Sequence, residues 1–125
     1  MDETDPEALH AAARAGDVPS MSRLGCLLAD AGQKEPARRW YQAAAERGHT
    51  IAMINLAILL EDDDRDAAMA WTLRAAEEGT GLTAQHNYGI FLEEDGRLDE
   101  ALDLYRQAAE RGDREAAEEA ARLSR

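Results

Sequence analysis

The side chains that could do chemistry are few and widely spaced. The histidines are His10, His49 and His86, with no His-x-x-x-His pair among them, and the chain holds one cysteine, Cys26. Zinc sites need clustered histidine and cysteine ligands, so the sequence predicts no metal site. Cys26 follows Gly25 in an apolar stretch, which indicates a buried, unreactive thiol rather than a nucleophile.

The acidic run EDDDRD is the second candidate for ligand chemistry. Asp62, Asp64 and Asp66 alternate as the first ligands of a calcium-binding loop do. The sixth and twelfth positions are Ala67 and Leu73, where that loop needs glycine and glutamate. The run is therefore interpreted as a solvated turn between helices, with Asp64 capping the helix that follows.

A third stretch, GTGLT at residues 79–83, resembles a phosphate-binding loop only in its glycines. The Gly-Lys-Ser/Thr that would complete such a loop is missing, so it is interpreted as a connection between helices. No other spacing indicates a catalytic group. We therefore expect no enzyme activity and no cofactor.

Composition indicates a helical, soluble protein. Of 125 residues, 45% are hydrophobic but only 5% are aromatic, and alanine, arginine, glutamate and leucine favour helices. No apolar run is long enough to cross a membrane, and the acidic N-terminus does not resemble a signal peptide. With a single cysteine, the expected location is cytoplasmic.

The net charge of −12 is unevenly distributed. Residues 1–60 carry 8 acids and 6 bases, whereas residues 61–125 carry 18 acids and 8 bases. Such a surface repels phosphates and attracts basic proteins. We therefore expect no nucleic-acid partner.

The chain repeats one short motif. AAAERG, RAAEEG and QAAERG end at Gly48, Gly79 and Gly112, and a degenerate copy, AAARAG, ends at Gly16. Successive glycines are 32, 31 and 33 residues apart. A period of this length is typical of stacked helix pairs, each ending at a glycine with left-handed backbone dihedrals.

Each motif lies between two amphipathic patterns. Eight or nine residues after Gly16, Gly48 and Gly79, the chain carries a large residue followed by a small one. These pairs are Leu24-Gly25, Leu56-Ala57 and Tyr88-Gly89. The small residue lets a partner helix approach closely. A second pattern, with alanines three, four and eleven residues before the glycine, predicts that partner.

These residues resemble the tetratricopeptide repeat. One set comprises Tyr88-Gly89, Leu92, Gly96, Ala101, Tyr105 and Ala108, and another comprises Leu24-Gly25, Leu28, Gly32, Ala37, Tyr41 and Ala44. The AAERG endings are similar to the related Sel-one-like repeats. The middle repeat departs from the pattern, with Ala57 for glycine and Thr72 for tyrosine. The resemblance implies an all-α, right-handed α-solenoid of antiparallel helix pairs.

The predicted domain is a single repeat domain over 1–125, a complete short array. It comprises a half repeat and cap at 5–16, repeats at 17–48, 49–79 and 80–112, and a capping helix at 113–123. The eight helices are expected near 6–15, 18–31, 35–47, 50–61, 65–78, 82–94, 98–111 and 113–123.

The resemblance implies a partner-binding concave face on the first helix of each pair. Its predicted residues are Arg23, Ile54, Asn55, Ile58, His86, Asn87 and Ile90. In similar arrays, asparagines at this place hold a peptide backbone and cationic neighbours hold a carboxylate, a role here open only to Arg23. The alternative is that both asparagines satisfy neighbouring backbone groups or face water.

The helix IAMINLAILL, residues 51–60, carries two apolar stripes. Met53, Leu56 and Leu60 form one, and Ile51, Ile54 and Ile58 form the other. The second stripe is explained by core packing, by an apolar binding site or by self-association.

Two functions follow. The first is a non-catalytic scaffold or adaptor, a monomer or weak homodimer, that binds a partner protein or peptide in the groove. The second is an acidic inhibitor, of the immunity type, that neutralises a basic enzyme such as a nuclease through the turns at Asp62, Asp63, Asp64, Glu93, Glu94 and Asp95.

Overall fold

The computed structural model describes residues 5–78 and 82–125, and every regular element among them is an α-helix. These helices are α1 Pro6–Arg14, α2 Val18–Asp30, α3 Lys34–Glu46, α4 Thr50–Leu60, α5 Arg65–Glu78, α6 Leu82–Glu94, α7 Leu98–Glu110 and α8 Arg114–Leu123. No predicted helix end differs from the observed one by more than one residue. The predicted connection at 79–81 lies outside the described residues.

Aspartates begin four of the described helices: Asp5 caps α1 through the Glu7 amide at 3.2 Å, and Asp64 is the cap that the sequence predicts. The Asp17 carboxylate accepts from the Ser20 amide at 3.1 Å, and Asp113 accepts from the Ala116 amide at 3.2 Å. Asp64 accepts from the Ala67 amide at 3.2 Å. Each bond satisfies one amide that the first helical turn leaves without an intrahelical partner.

The repeated glycine makes the corner between helix pairs. Gly48 and Gly112 have φ of +86° and +102°, which L-residues with a side chain rarely adopt. The amide that follows Gly112 donates to the Ala108 carbonyl at 3.0 Å, and the amide that follows Gly48 donates to the Ala44 carbonyl at 3.2 Å. This bond pattern ends the helix and turns the chain.

The helices belong to two compact units, divided between Ala68 and Met69 inside α5. In the N-terminal unit, α1 packs on α2, α2 on α3 and α3 on α4. A Cβ at Gly25 would lie 2.6 Å from the ring of the buried Tyr41, so the α2–α3 approach requires glycine there. Its core consists mainly of small and aliphatic side chains: Leu9, Ala13, Met21, Leu24, Ala37, Ala44, Ala45, Ala52, Met53 and Leu56.

In the C-terminal unit, α6 packs on α7 and α7 on α8. Its core comprises Leu92, Ala101, Tyr105, Ala108 and Ala116, with Leu82, Tyr88, Leu104, Ala120 and Leu123 packed at the edge. A Cβ at Gly89 would lie 2.6 Å from the Tyr105 ring, which repeats the contact of the first unit. The small residue predicted to permit close packing therefore does so in both units.

The structure corrects the predicted burial of Cys26 and excludes one of the three explanations of the second apolar stripe of α4. Cys26 is exposed, although its Sγ accepts a hydrogen bond from the hydroxyl of the buried Tyr41. Ile51 and Ile58 are 59% and 60% exposed, because α4 buries the opposite side, which carries Met53 and Leu56. Core packing therefore does not explain the second apolar stripe of α4.

Candidate partner-binding site

An open groove lies beside α6 in the C-terminal unit. It has a volume of about 500 Å³ and is bounded by the exposed side of α6 and the start of α8. Three residues predicted for the partner-binding face, His86, Asn87 and Ile90, lie on one wall. Leu82 and Thr83 of α6 extend that wall, and the opposite wall is formed by Gly112, Asp113, Arg114 and Glu115.

His86 is held in place by the helix that caps the unit. Its Nδ1 lies 3.5 Å from the Asp113 Oδ2, and both side chains are mostly buried, at 16% and 14% exposed. The His86 ring also meets the Tyr105 ring edge-on, with centroids 5.6 Å apart. Since Asp113 caps α8 through its other oxygen, His86 lies next to the first turn of that helix.

A partly buried polar cluster fixes the other end of α6. The Tyr105 hydroxyl donates to the Glu93 Oε2 at 3.0 Å, and Arg122 of α8 forms an ion pair with the same carboxylate. Burial and the bond to Glu93 raise the pKa of Tyr105 well above its ordinary range. Contacts in the first half and in the last turn of α6 thus connect this helix with α8.

Asn87 and Ile90 contribute different surfaces to the groove. Ile90 is 40% exposed, whereas Asn87 is half-buried and offers an amide that can both donate and accept. Arg114 adds an exposed guanidinium on the opposite wall. The groove thus presents an apolar side chain, an amide that can donate and accept, and a positive charge.

In the N-terminal unit, the predicted residues lie on α2 and α4. Asn55 is half-buried, and its Nδ2 lies 3.7 Å from the Cys26 Sγ, which also accepts from the Tyr41 hydroxyl at 3.2 Å. Asn55 therefore has an intramolecular contact, as expected if its role is structural. Ile54 is half-buried and Arg23 is exposed.

The predicted acidic edge is partly used by internal contacts. Lys34 binds Asp63 at 2.6 Å, and this ion pair raises the pKa of the Lys34 ammonium. Asp64 caps α5, and Glu93 belongs to the cluster with Tyr105. Asp62, Glu94 and Asp95 are exposed. Asp63, Asp64 and Glu93 thus have structural roles, and the two turns lie in different units.

The comparison with known families decides the identity of the fold. A sequence model of the tetratricopeptide repeat matches residues 20–52 and 82–114, which together exceed half of the chain. The chain belongs to the tetratricopeptide repeat family. Repeats of this family generally mediate contacts between proteins and typically have no catalytic role. No curated protein sequence matches the chain.

Two solved structures of Sel1-like repeat proteins are also similar to this tetratricopeptide repeat chain. A Sel1 repeat protein from Oxalobacter formigenes is 27% identical, with a TM-score of 0.78 over 91% of this chain and 52% of that one. The protein c5321, a protective antigen of uropathogenic Escherichia coli with an SLR fold, is 28% identical, with a TM-score of 0.77 over 89% of this chain and 26% of that one. The chain thus spans a quarter to a half of the length of these relatives.

These matches confirm the predicted all-α fold of Sel-one-like helix pairs. Among the described residues, no helix is long and apolar enough to cross a bilayer. Within the same ranges, no three His, Cys, Asp or Glu side chains gather where a metal ion would bind.

The sequence predicted one wall of the groove and missed the other. Asp113 and Arg114 were recognised only as the start of a helix, although they lie beside His86 and Asn87. The sequence did contain a signal for this contact. Asp113 follows His86 by 27 positions and Arg114 follows Asn87 by 27 positions, which is somewhat less than one repeat. Neighbouring repeats stack, so positions nearly one period apart are candidates for contact.

Proposed function

We propose that the chain is a non-catalytic interaction module that binds an extended segment of a partner protein in the groove between α6 and α8. The observation that carries the proposal is the convergence of Asn87, Ile90 and Arg114 on one open cavity of about 500 Å³. Cavities of this size bury most of a short ligand segment. The family membership of the chain supports the same class of function.

The chemistry of the walls indicates how such a segment is held. The Asn87 amide pairs with a backbone C=O and N–H, which gives affinity without requiring a particular side chain. Ile90 and Leu82 take an apolar side chain, and Arg114 takes an acidic side chain or a terminal carboxylate. We assign Arg114, not Arg23, to the carboxylate in this groove, because Arg114 lies on its wall.

The test begins with a peptide ligand selected from random sequences, so the natural partner need not be identified first. A displayed library of random 12-residue peptides is selected on the full chain, and the best binders are titrated calorimetrically. We expect Asn87→Ala to weaken binding about tenfold, which corresponds to about 1.4 kcal/mol. Gln107→Ala is the matched control, because it removes an exposed amide of α7 that does not line the groove.

The melting temperature of each variant separates binding from folding. We expect Asn87→Ala and Gln107→Ala to melt as the wild type does, since neither side chain is buried in the core. Selection of no peptide, or equal affinities for both variants, contradicts the proposal. A sharp fall in melting temperature for Asn87→Ala assigns that side chain a structural role instead.

The proposal also includes the location, the oligomeric state and the class of partner. We infer a cytoplasmic module that acts as a monomer or weak homodimer, with a protein rather than a nucleic acid as partner. The net charge of −12 supports exclusion of nucleic acid. The inhibitor alternative gains no support from the acidic turns, since Asp63, Asp64 and Glu93 make internal contacts.

A further inference from the structure

Helix α4 exposes an aliphatic stripe in the N-terminal unit. Ile51, Ile54 and Ile58 follow the i, i+3, i+7 spacing of one helix face, and the first and last of them are about three-fifths exposed. The opposite side of α4 is buried, with Met53 and Leu56 at 0% exposed. Exposed aliphatic side chains aligned over two helical turns indicate a contact surface.

The stripe ends in an acid. Glu61 lies three residues beyond Ile58, and its φ and ψ of −52° and −42° continue the helical path, so its side chain lies on the same face. The C-terminal end of a helix is itself partly negative. Within residues 5–78 and 82–125, no ion pair or side-chain hydrogen bond engages Glu61.

The third repeat contains the equivalent acid with its charge neutralised. Glu93 lies 32 residues after Glu61, as Ile90 lies 32 residues after Ile58. Glu93 forms an ion pair with Arg122 of the packed helix α8. At this one equivalent position the acid accepts a guanidinium from a neighbouring segment, and the exposed Glu61 carboxylate offers the same charge to a partner.

We propose that the α4 stripe and Glu61 together bind a partner segment that carries aliphatic side chains followed by a lysine or arginine. The distance along the helix from Ile51 to Glu61 is about 15 Å at 1.5 Å per residue, so the basic group follows the aliphatic ones within that distance. This inference rests on the proposed function, since it assumes that the chain binds partner segments, but it adds a second surface and the chemistry of its ligand.

Size and charge argue for a heterologous partner rather than a second copy of the chain. Three isoleucines along two helical turns offer far less than the roughly 800 Å² per partner that a stable dimer buries. A second copy would also bring another net charge of −12 to the surface. A short segment with basic and aliphatic side chains needs only a small contact area, and the net negative charge of the chain attracts it.

The same peptide selection tests the proposal with two further variants. Ile58→Ser shortens the aliphatic stripe, and Glu61→Lys reverses its terminal charge. Their matched controls are Leu98→Ser, which removes another half-exposed aliphatic side chain, and Glu118→Lys, which reverses an exposed acid of α8. All four positions are outside the core, so we expect melting temperatures near that of the wild type.

We expect a class of selected peptides with aliphatic residues followed by lysine or arginine. Ile58→Ser and Glu61→Lys should each lower the affinity for these peptides about tenfold or more, while both control variants bind them as the wild type does. Replacing the basic residue of the peptide by glutamate should restore binding to Glu61→Lys. Such charge-swap rescue requires direct contact between the two groups.

Each failure has a distinct signature. Peptides that respond to Asn87→Ala but not to Ile58→Ser or Glu61→Lys overturn this inference and leave the proposed function intact. Peptides that respond only to the α4 variants support this inference and contradict the groove beside α6. Concentration-dependent dimers that Ile58→Ser abolishes, seen by sedimentation without any bound peptide, assign the stripe to a second copy and overturn the inference.

Discussion

At the scale of single residues, the contact between Gly89 and Tyr105 sets the separation of α6 and α7. An added Cβ would lie 2.6 Å and 2.9 Å from the Cε1 and Cζ atoms of Tyr105, whose hydroxyl is fixed on Glu93. Overpacking usually costs about 1–3 kcal/mol, and alanine recovers roughly 1 kcal/mol through its higher helix propensity. We therefore expect Gly89→Ala to lower the free energy of unfolding by up to about 2 kcal/mol. Urea denaturation measures the difference.

A double-mutant cycle with Tyr105→Leu isolates the contact. In that background the flexible leucine gives way, so Gly89→Ala should cost little or become stabilising. An equal penalty in both backgrounds would show that the cost is not due to Tyr105. The middle repeat carries a natural version of this exchange, since Ala57 replaces the glycine and the smaller Thr72 replaces the tyrosine.

The buried Tyr105 also predicts how stability depends on alkaline pH. Burial, followed by the hydrogen bond to Glu93, raises the pKa of its hydroxyl in the folded chain above the unfolded value of about 10. A raised folded pKa means that the folded state holds the proton more tightly. This contribution to stability is complete below pH about 10 and is lost as pH rises through the folded pKa.

We expect the free energy of unfolding to fall above pH about 10, and to fall less steeply in Tyr105→Phe, which has no proton to lose there. Urea denaturation at increasing pH measures both slopes. Tyr41, whose pKa is raised by burial and by its bond to Cys26, contributes in the same direction in both proteins. Identical slopes for wild type and Tyr105→Phe would contradict the assignment.

At the scale of elements, Asp113 links α8 to α6. One of its oxygens caps α8 through the Ala116 amide, and the other lies 3.5 Å from the His86 Nδ1. We expect Asp113→Ala to lower the free energy of unfolding by about 1 kcal/mol or more, since a lost helix cap costs about 0.5–2 kcal/mol. Asp113→Asn should retain most of the stability, because asparagine caps as well as aspartate does.

Hydrogen exchange locates the effect. The first amides of α8, including Ala116, should exchange faster in Asp113→Ala and little faster in Asp113→Asn. Asp17→Ala is the control for a cap on another helix, because Asp17 caps α2 through the Ser20 amide. Equal loss of protection in both Asp113 variants would mean that its charge, rather than the cap, holds α8.

The same scale shows what the sequence could predict. Helix bounds follow from the glycine corners and aspartate caps, which are local signals, so each was predicted within one residue. Exposure of Cys26 was not predictable, because this residue lies at the border of an apolar stripe whose buried side depends on the packed neighbour. The pairs Lys34–Asp63 and Arg122–Glu93 join residues 29 apart and need the stacked structure to be recognised.

The candidate site was predictable only in part for the same reason. His86, Asn87 and Ile90 share a helix face, which periodicity alone identifies. Arg114 belongs to another helix, and its place in the groove depends on how α8 packs against the unit. Whether any of these side chains contacts a partner stays a prediction.

At the scale of the whole molecule, the two units expose first-helix faces of different chemistry. In the N-terminal unit, α4 presents isoleucines at 51, 54 and 58 followed by an acid, whereas in the C-terminal unit the corresponding positions of α6 are Thr83, His86 and Ile90. One repeat architecture therefore offers an aliphatic surface and a polar groove. We expect selected peptides to fall into two classes, one sensitive to the α4 variants and one sensitive to Asn87→Ala.

The overall charge of −12 makes salt the variable that separates groove binding from the inhibitor alternative. A peptide held by Asn87, Ile90 and Arg114 depends mainly on hydrogen bonds and apolar contacts. One exposed ion pair contributes about 1 kcal/mol or less, so we expect its affinity to fall less than about tenfold between roughly 0.1 M and 1 M salt. Calorimetric titration at several salt concentrations measures this directly.

An acidic inhibitor would behave differently, because many exposed carboxylates would act together on a basic enzyme. Its affinity should fall by several orders of magnitude over the same range, and charge reversal should weaken it more than loss of Asn87. Asp62 is the residue whose charge should be reversed. Charge reversal at Asp63 would also remove the ion pair with Lys34, and at Asp64 it would remove the cap of α5. The acidic turns rather than the groove are the functional surface if two results are found together. The affinity falls by several orders of magnitude as salt is raised, and Asp62→Lys weakens binding more than Asn87→Ala does.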